Sequence, residues 1–108
     1  MIATHYILFP ILFIVLGLIA SHLKTINGII GYRTYRAMKN QPNWDYAQKY
    51  SGKCFIYMGI VILPFILIDY LDLINSKLLS SIFFVTITLA IAFIIYKTEQ
   101  GLKRLEQK

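Results

Sequence analysis

The residues best suited to chemistry lie in one polar stretch, Asn27 to Lys53, which holds five of the chain's eleven basic residues, its single Trp and four of its eight tyrosines. Arg33 and Thr34 closely follow Gly31, so a tight backbone turn, a guanidinium fork and a hydroxyl can converge on an anion. Arginine holds a carboxylate or phosphate through two parallel hydrogen bonds, which lysine cannot do. A lipid phosphate or an acidic partner group would suit such a site. The competing reading has Arg33 paired with Asp45, or with carbonyls left open where the preceding helix ends. Trp44, Tyr46 and Tyr50 read in turn as an interfacial aromatic belt.

A second candidate is Asp69, three residues before Asp72, on what would be one helix face. A carboxyl inside a bilayer points to proton or cation handling, whereas one at a helix end is simply solvated. His5 and His22 are too far apart to share a metal. There is no HExxH, CxxC, phosphate-binding glycine loop or Ser-His-Asp arrangement. With one Cys, two His and five acids, the chain is expected to be no enzyme and to carry no cofactor or metal. The lone Cys54 allows no internal disulfide.

The elements that position these residues are set by hydropathy. Apolar residues make up 57% of 108 and charged residues 15%, more apolar surface than a soluble domain of this size can bury. Tyr6 to Leu23, Cys54 to Ile68 and Leu78 to Tyr96 carry no charge. About 20 mostly apolar residues cross a bilayer core as a helix. The expected fold is therefore all-α: an integral membrane protein forming a single domain, with spans at about 6–24, 54–73 and 78–97. A connector at 25–53 would carry a short interfacial helix, and a tail at 98–108 would be a solvated helical extension. Met1 to His5 has no Lys or Arg and no small-x-small cleavage pattern follows, so the first span reads as a permanent helix rather than a signal peptide.

Within this plan Thr4 is the expected N-cap of the first helix, and Asn27-Gly28 its stop. A nine-residue helix is expected from Tyr32 to Asn40. Gln41-Pro42 would break it, and Asn43 would cap a new helix at Trp44. Gly52 permits close packing, and Pro64 should kink the second span by removing the bond to the Ile60 carbonyl. Ser81, Thr88 and Ala92 form a small-residue stripe suited to helix packing. Ten basic residues fall on the connector and tail side and only Lys77 on the other. That split places the N-terminus outside and the connector and C-terminus inside. Basic flanks beside anionic headgroups then account for the net charge of +6, and nucleic acid is not the expected partner.

The run Asn27-Gly28-Ile29-Ile30-Gly31-Tyr32-Arg33-Thr34, followed by Met38-Lys39-Asn40, Trp44 with Ala47, and Ser51-Gly52, resembles the signature of the SdpI family. In family terms it is similar to an N-x-x-x-G-x-R-T element, a spacer, a Trp and a small-Gly pair entering the next span. Tyr35 stands where a proline is expected, and Ala37 where a hydroxyl residue is common. The resemblance implies a bacterial cytoplasmic-membrane protein giving immunity to a secreted, membrane-active antimicrobial peptide. It further implies sequestration of a cytoplasmic regulator; the mechanism expected for the immunity itself is direct binding of the toxin by the helices within the bilayer. The alternative from another class is a small protein that binds anionic lipid or an envelope precursor, or a transporter accessory subunit, clamping phosphate at Arg33. Membrane lipids are expected partners on either reading. Three short spans give little interior, so a homo-oligomer is also compatible.

Overall fold

The apolar runs become helices in the computed structural model, which describes residues 3–27 and 31–107; Gly28, part of the expected helix stop and of the motif, lies outside them. Four helices follow in order: α1 (His5–Ser21), α2 (Gln41–Val61), α3 (Pro64–Tyr70) and α4 (Ser76–Glu106). No strand occurs among the described residues.

In α1, Tyr6, Pro10, Phe13, Gly17 and Ala20 are buried, stepping by four and three residues along one face. Leu8, Ile11, Leu12 and Val15 are exposed on the remainder. A helix that is apolar on its exposed face as well suits an apolar surrounding, whether a membrane or covering protein. Thr4 occupies the N-cap position without a side-chain hydrogen bond. The helix stops at Ser21, earlier than the expected 24, and the His22 ring takes up the Leu18 carbonyl at 2.8 Å.

The buried stripe of α1 lies on α2 at glycine contacts. A methyl group at Gly52 would meet the Gly17 carbonyl oxygen and Ser21 Oγ, each at 2.7 Å; one at Gly59 would meet the Pro10 carbonyl oxygen at 2.9 Å. Close backbone approach of this kind lets membrane helices gain dispersion contacts where the hydrophobic effect gives no drive.

Two expectations about the connector are corrected. Tyr32 to Asn40 is not a helix: Tyr35–Met38 makes a single turn, with Met38 N–H donating to the Thr34 carbonyl at 3.0 Å. The second helix begins at Gln41, not Trp44, because Asn40 is the cap: its Oδ1 accepts from Asn43 N–H at 2.9 Å. Pro42 does not break the chain here. It falls in the first turn, where no intrahelical N–H is required.

Pro64 does interrupt the helix. α2 ends at Val61, Leu63 N–H turns back to the Ile60 carbonyl at 3.2 Å, and α3 starts at the proline itself. α3 ends at Tyr70, so Asp69 and Asp72 do not share a helix face; Asp72 sits in the following turn at φ 53°. Asn75 then caps α4, its Oδ1 accepting from Lys77 N–H at 2.9 Å.

Two stretches, Gln41–Tyr70 and Ser76–Glu106, are long and apolar enough to cross a membrane, while α1 is apolar but shorter. Only 28% and 22% of their apolar windows are buried within the molecule. The core helix of a soluble protein would be mostly covered. The exposed stripe of Ser81, Thr88 and Ala92 does not pack inside the molecule. The Ser81 and Thr88 hydroxyls instead donate to the carbonyls of Lys77 and Phe84 at 3.0 and 2.9 Å. The inner face of α4 is Leu79, Phe83, Ile87, Ile94, Thr98 and Leu102. Its upper part meets Tyr6 and Phe65, whose ring centroids lie 4.9 and 5.1 Å from that of Phe83.

Candidate functional site

At 31 residues α4 is about 46 Å long at about 1.5 Å per residue, beyond the roughly 30 Å of a hydrocarbon core. The helix is thus longer than a bilayer core requires, and the connector packs onto its last turns. The expected solvated tail is instead a packing partner, with Thr98 and Leu102 fully buried. Gly101 allows the Tyr46 ring to lie directly on the α4 backbone.

Two glutamates on α4, Glu99 and Glu106, hold the connector. Glu99 Oε2 accepts from Tyr32 Oη at 2.8 Å and from Thr34 Oγ1 at 2.9 Å, while Arg36 Nε lies 3.8 Å from Oε1. Glu106 Oε2 pairs with Arg36 Nη1 at 2.7 Å; its Oε1 accepts from Asn43 Nδ2 at 3.0 Å, with Lys39 Nζ at 3.6 Å. Arg36 thus bridges both carboxylates. On the other side, the Gln48 amide pairs with the Tyr32 backbone, accepting from its N–H at 2.8 Å and donating to its carbonyl at 2.7 Å. Gly31, at φ +106°, makes the turn that brings Tyr32 to this position.

Electrostatics follow the geometry. Burial, then the hydrogen bond to Glu99 and its negative charge, push the Tyr32 phenol far above the usual tyrosine range. At Glu106 desolvation acts upward, but the Asn43 amide and the cations of Lys39 and Arg36 outweigh it. Its carboxyl is held below the usual range.

The motif residues divide between this clasp and other duties. Thr34 is engaged with Glu99, so it does not converge with Arg33 on an outside anion. Arg33 is exposed and makes no ion pair among the described residues; Asp45 accepts from Gln41 Nε2 at 2.8 Å instead. Asn27 is described and its Nδ2 donates to the Thr25 carbonyl at 3.1 Å. Trp44 is not part of an exposed belt: it is fully buried, and its Nε1–H donates to the Leu23 carbonyl at 3.2 Å. That bond ties α2 to the chain leaving α1. Tyr46 and Tyr50 stack with centroids 5.6 Å apart.

Asp69 lies at the opposite end of the bundle, where its Oδ2 accepts from Ala3 N–H at 2.9 Å. It stands level with the start of α1, beside a polar group in which Ser80 Oγ is 3.1 Å from Tyr6 Oη and 3.4 Å from His5 Nε2. No His, Cys, Asp and Glu grouping able to hold a metal occurs among the described residues.

Glu99, Glu106 and Gln48 were missed by sequence reasoning as site residues, and Ser51 was read only as part of the small-Gly pair of the motif. The available signal was the seven-residue spacing of Glu99 and Glu106, which puts two of five acids on one helix face. Ser51 is fully buried, its hydroxyl has no hydrogen-bond partner, and it lines a cavity of about 340 Å³ between α1, α2, α4 and the connector.

The SdpI/YfhL protein family matches residues 24–97, from just after α1 through the connector, α2 and α3 and into α4. A Bacillus subtilis (strain 168) protein described as "Uncharacterized protein YfhL" is 46% identical over 39 residues, which is 36% of this chain and 36% of that relative. No solved structure matches. With the family's match covering most of the 108 residues, this chain belongs to the SdpI/YfhL protein family.

Proposed function

We propose that the protein is an immunity protein of the bacterial cytoplasmic membrane. It crosses the bilayer three times, with its N-terminus outside and its C-terminus inside, and protects the cell from a membrane-active antimicrobial peptide. The observation that carries this reading is the family match over residues 24–97. Family membership suggests an immunity-type protein, and the exposed apolar faces of α1, α2 and α4 give it the medium in which such a peptide acts. α1, at 17 residues and about 26 Å, is a few ångströms short of a typical core, a mismatch that local thinning accommodates. Ten of eleven basic residues on the connector and tail side support the orientation.

In this reading the helices bind the toxin within the bilayer, and the clasp keeps α1, α2 and α4 in register from below. The clasp is internal to the molecule, so the residues that mark the family are not those that first meet an external peptide. Outward on the connector, Tyr35 is 88% exposed, which supports a contact with a cytoplasmic regulator. Expression in a toxin-sensitive bacterium tests the main reading. Survival should rise once the protein is confirmed in the membrane; unchanged killing would refute it. The Glu99→Ala variant should protect less at equal membrane abundance.

A further inference from the structure

α1 and α4 both pack against α2 and leave a slot between them. The slot is lined by Leu16 of α1, Phe55 of α2, and Ile91 and Ile95 of α4, and is roofed by the connector at Gly31–Thr34. Leu16 is 38% and Ile95 45% exposed, so the cavity opens sideways between these two helices. In a bilayer that opening faces lipid.

One buried polar group in this apolar slot lacks a partner, and one exposed cation of its lining makes no ion pair among the described residues. Ser51 Oγ is buried in the α2 wall with nothing to bond. A serine inside a helix usually donates to the carbonyl four residues back, here Ala47, as Ser21 does to Gly17 at 2.8 Å. A buried hydroxyl left unmade costs about 1–3 kcal/mol, which a bound acceptor would recover. Arg33 is the charged residue of the lining, and it is free of any ion pair among the described residues. Its neighbours Arg36 and Lys39 are engaged by Glu106, so of these three cations Arg33 is the one without an ion pair among the described residues, and it is the one at the slot.

We infer that the slot between α1 and α4 holds one acyl chain of an anionic phospholipid, with the lipid phosphate on Arg33 and a chain ester carbonyl accepting from Ser51 Oγ–H. The volume of about 340 Å³ falls within the roughly 300–1,000 Å³ of small-molecule sites and suits part of one chain, not a whole lipid. Lipid is the occupant favoured over peptide because the slot opens into the acyl region while its cation stands at the roof. An amphiphile with one anionic end meets both at once. This assignment does not depend on the immunity reading.

The full-length protein in mixed micelles, offered phosphatidylglycerol and phosphatidylcholine in equal amounts, provides the test by native mass spectrometry. Wild type should retain phosphatidylglycerol preferentially. Arg33→Gln, an exposed substitution that leaves the core intact, should lower phosphatidylglycerol retention roughly tenfold, the size of one charge-assisted hydrogen bond, and leave phosphatidylcholine unchanged. Ser51→Ala should weaken both lipids, since both carry the ester. Ile95→Trp, which fills the mouth from an exposed position, should reduce both together. Buried Trp44 emission in Arg33→Gln and Ser51→Ala, and helical circular dichroism in Ile95→Trp, verify the fold. Equal retention of the two lipids by wild type, or phosphatidylglycerol retention untouched by both Arg33→Gln and Ile95→Trp, overturns the assignment. Lipid retention indifferent to Ile95→Trp with cell protection lost would make the slot a peptide seat, which also overturns it. Failure of wild type to protect cells bears only on the immunity reading.

Discussion

Gly52→Ala sets helix propensity against packing in a way the structure can decide. Alanine is favoured over glycine inside a helix by about 0.5–1 kcal/mol, so propensity alone makes the variant more stable. The added methyl, however, would stand 2.7 Å from the Gly17 carbonyl oxygen and 2.7 Å from Ser21 Oγ, where ordinary contacts begin at 3.4 Å. The difference, 3.4 − 2.7, requires α1 and α2 to separate by about 0.7 Å at this level. Ser21 Oγ can rotate away, but Gly17 contributes backbone and cannot. Overpacking of this kind costs about 1–3 kcal/mol. The shift also loosens dispersion contacts along the whole α1 face, from Tyr6 to Ala20. Packing should win, leaving Gly52→Ala less stable than wild type by about 1–2 kcal/mol.

The assay is equilibrium unfolding in mixed micelles with increasing denaturing detergent, followed by Trp44 emission. Ala92→Gly, at an exposed position on α4, calibrates propensity in the same molecule and should lose about 0.5–1 kcal/mol. If Gly52→Ala matches or exceeds wild type while Ala92→Gly behaves as stated, the close approach of α1 and α2 at this glycine is wrong.

Glu99→Ala removes the acceptor of two charge-assisted hydrogen bonds on a side chain 28% exposed, and should cost about 2 kcal/mol in the same unfolding assay. The Tyr32 phenol is raised above its unfolded value, so its stabilising contribution is complete below the ordinary tyrosine range and is lost as pH rises beyond it. An ultraviolet titration should find one tyrosine ionising late, and Glu99→Gln should bring it back toward the others. The Glu106 carboxyl is depressed, so its contribution is present above the unfolded carboxylate range and disappears as pH falls through its folded value. Glu106→Gln should flatten the acid side of a stability–pH profile, and an unchanged profile would contradict the clasp. Trp44 is fully buried, so its emission should be blue-shifted and resist a water-soluble quencher, whereas an interfacial belt residue would be quenched.

The sequence by itself determined features that need only composition or a few neighbouring residues. Uncharged runs made helices wherever they occurred, since a backbone in an apolar medium must satisfy its own hydrogen bonds. Pro64 broke the second helix because its missing N–H acts on one turn, and Gly31 supplied the positive φ its turn requires. The motif from Asn27 to Gly52 identified the family because its types and spacings are themselves sequence.

Tertiary structure decided everything that depended on a distant partner. Tyr32 to Asn40 had the pattern of a short helix, yet Tyr32 and Thr34 reach Glu99, 67 and 65 residues away, and the chain is drawn out to meet it. Trp44 had the composition of a belt residue, but the Leu23 carbonyl, exposed by an early end to α1, took its N–H and buried it. Periodicity made Ser81, Thr88 and Ala92 a packing stripe; the opposite face, with Phe83, Ile87 and Ile94, turned inward instead, where Phe83 meets the rings of Tyr6 and Phe65. The same division separates Arg33 from its neighbours. The sequence put Arg33 forward for its place after Gly31, but only the position of Glu106 decides that Arg36 and Lys39 are paired while Arg33 makes no ion pair among the described residues.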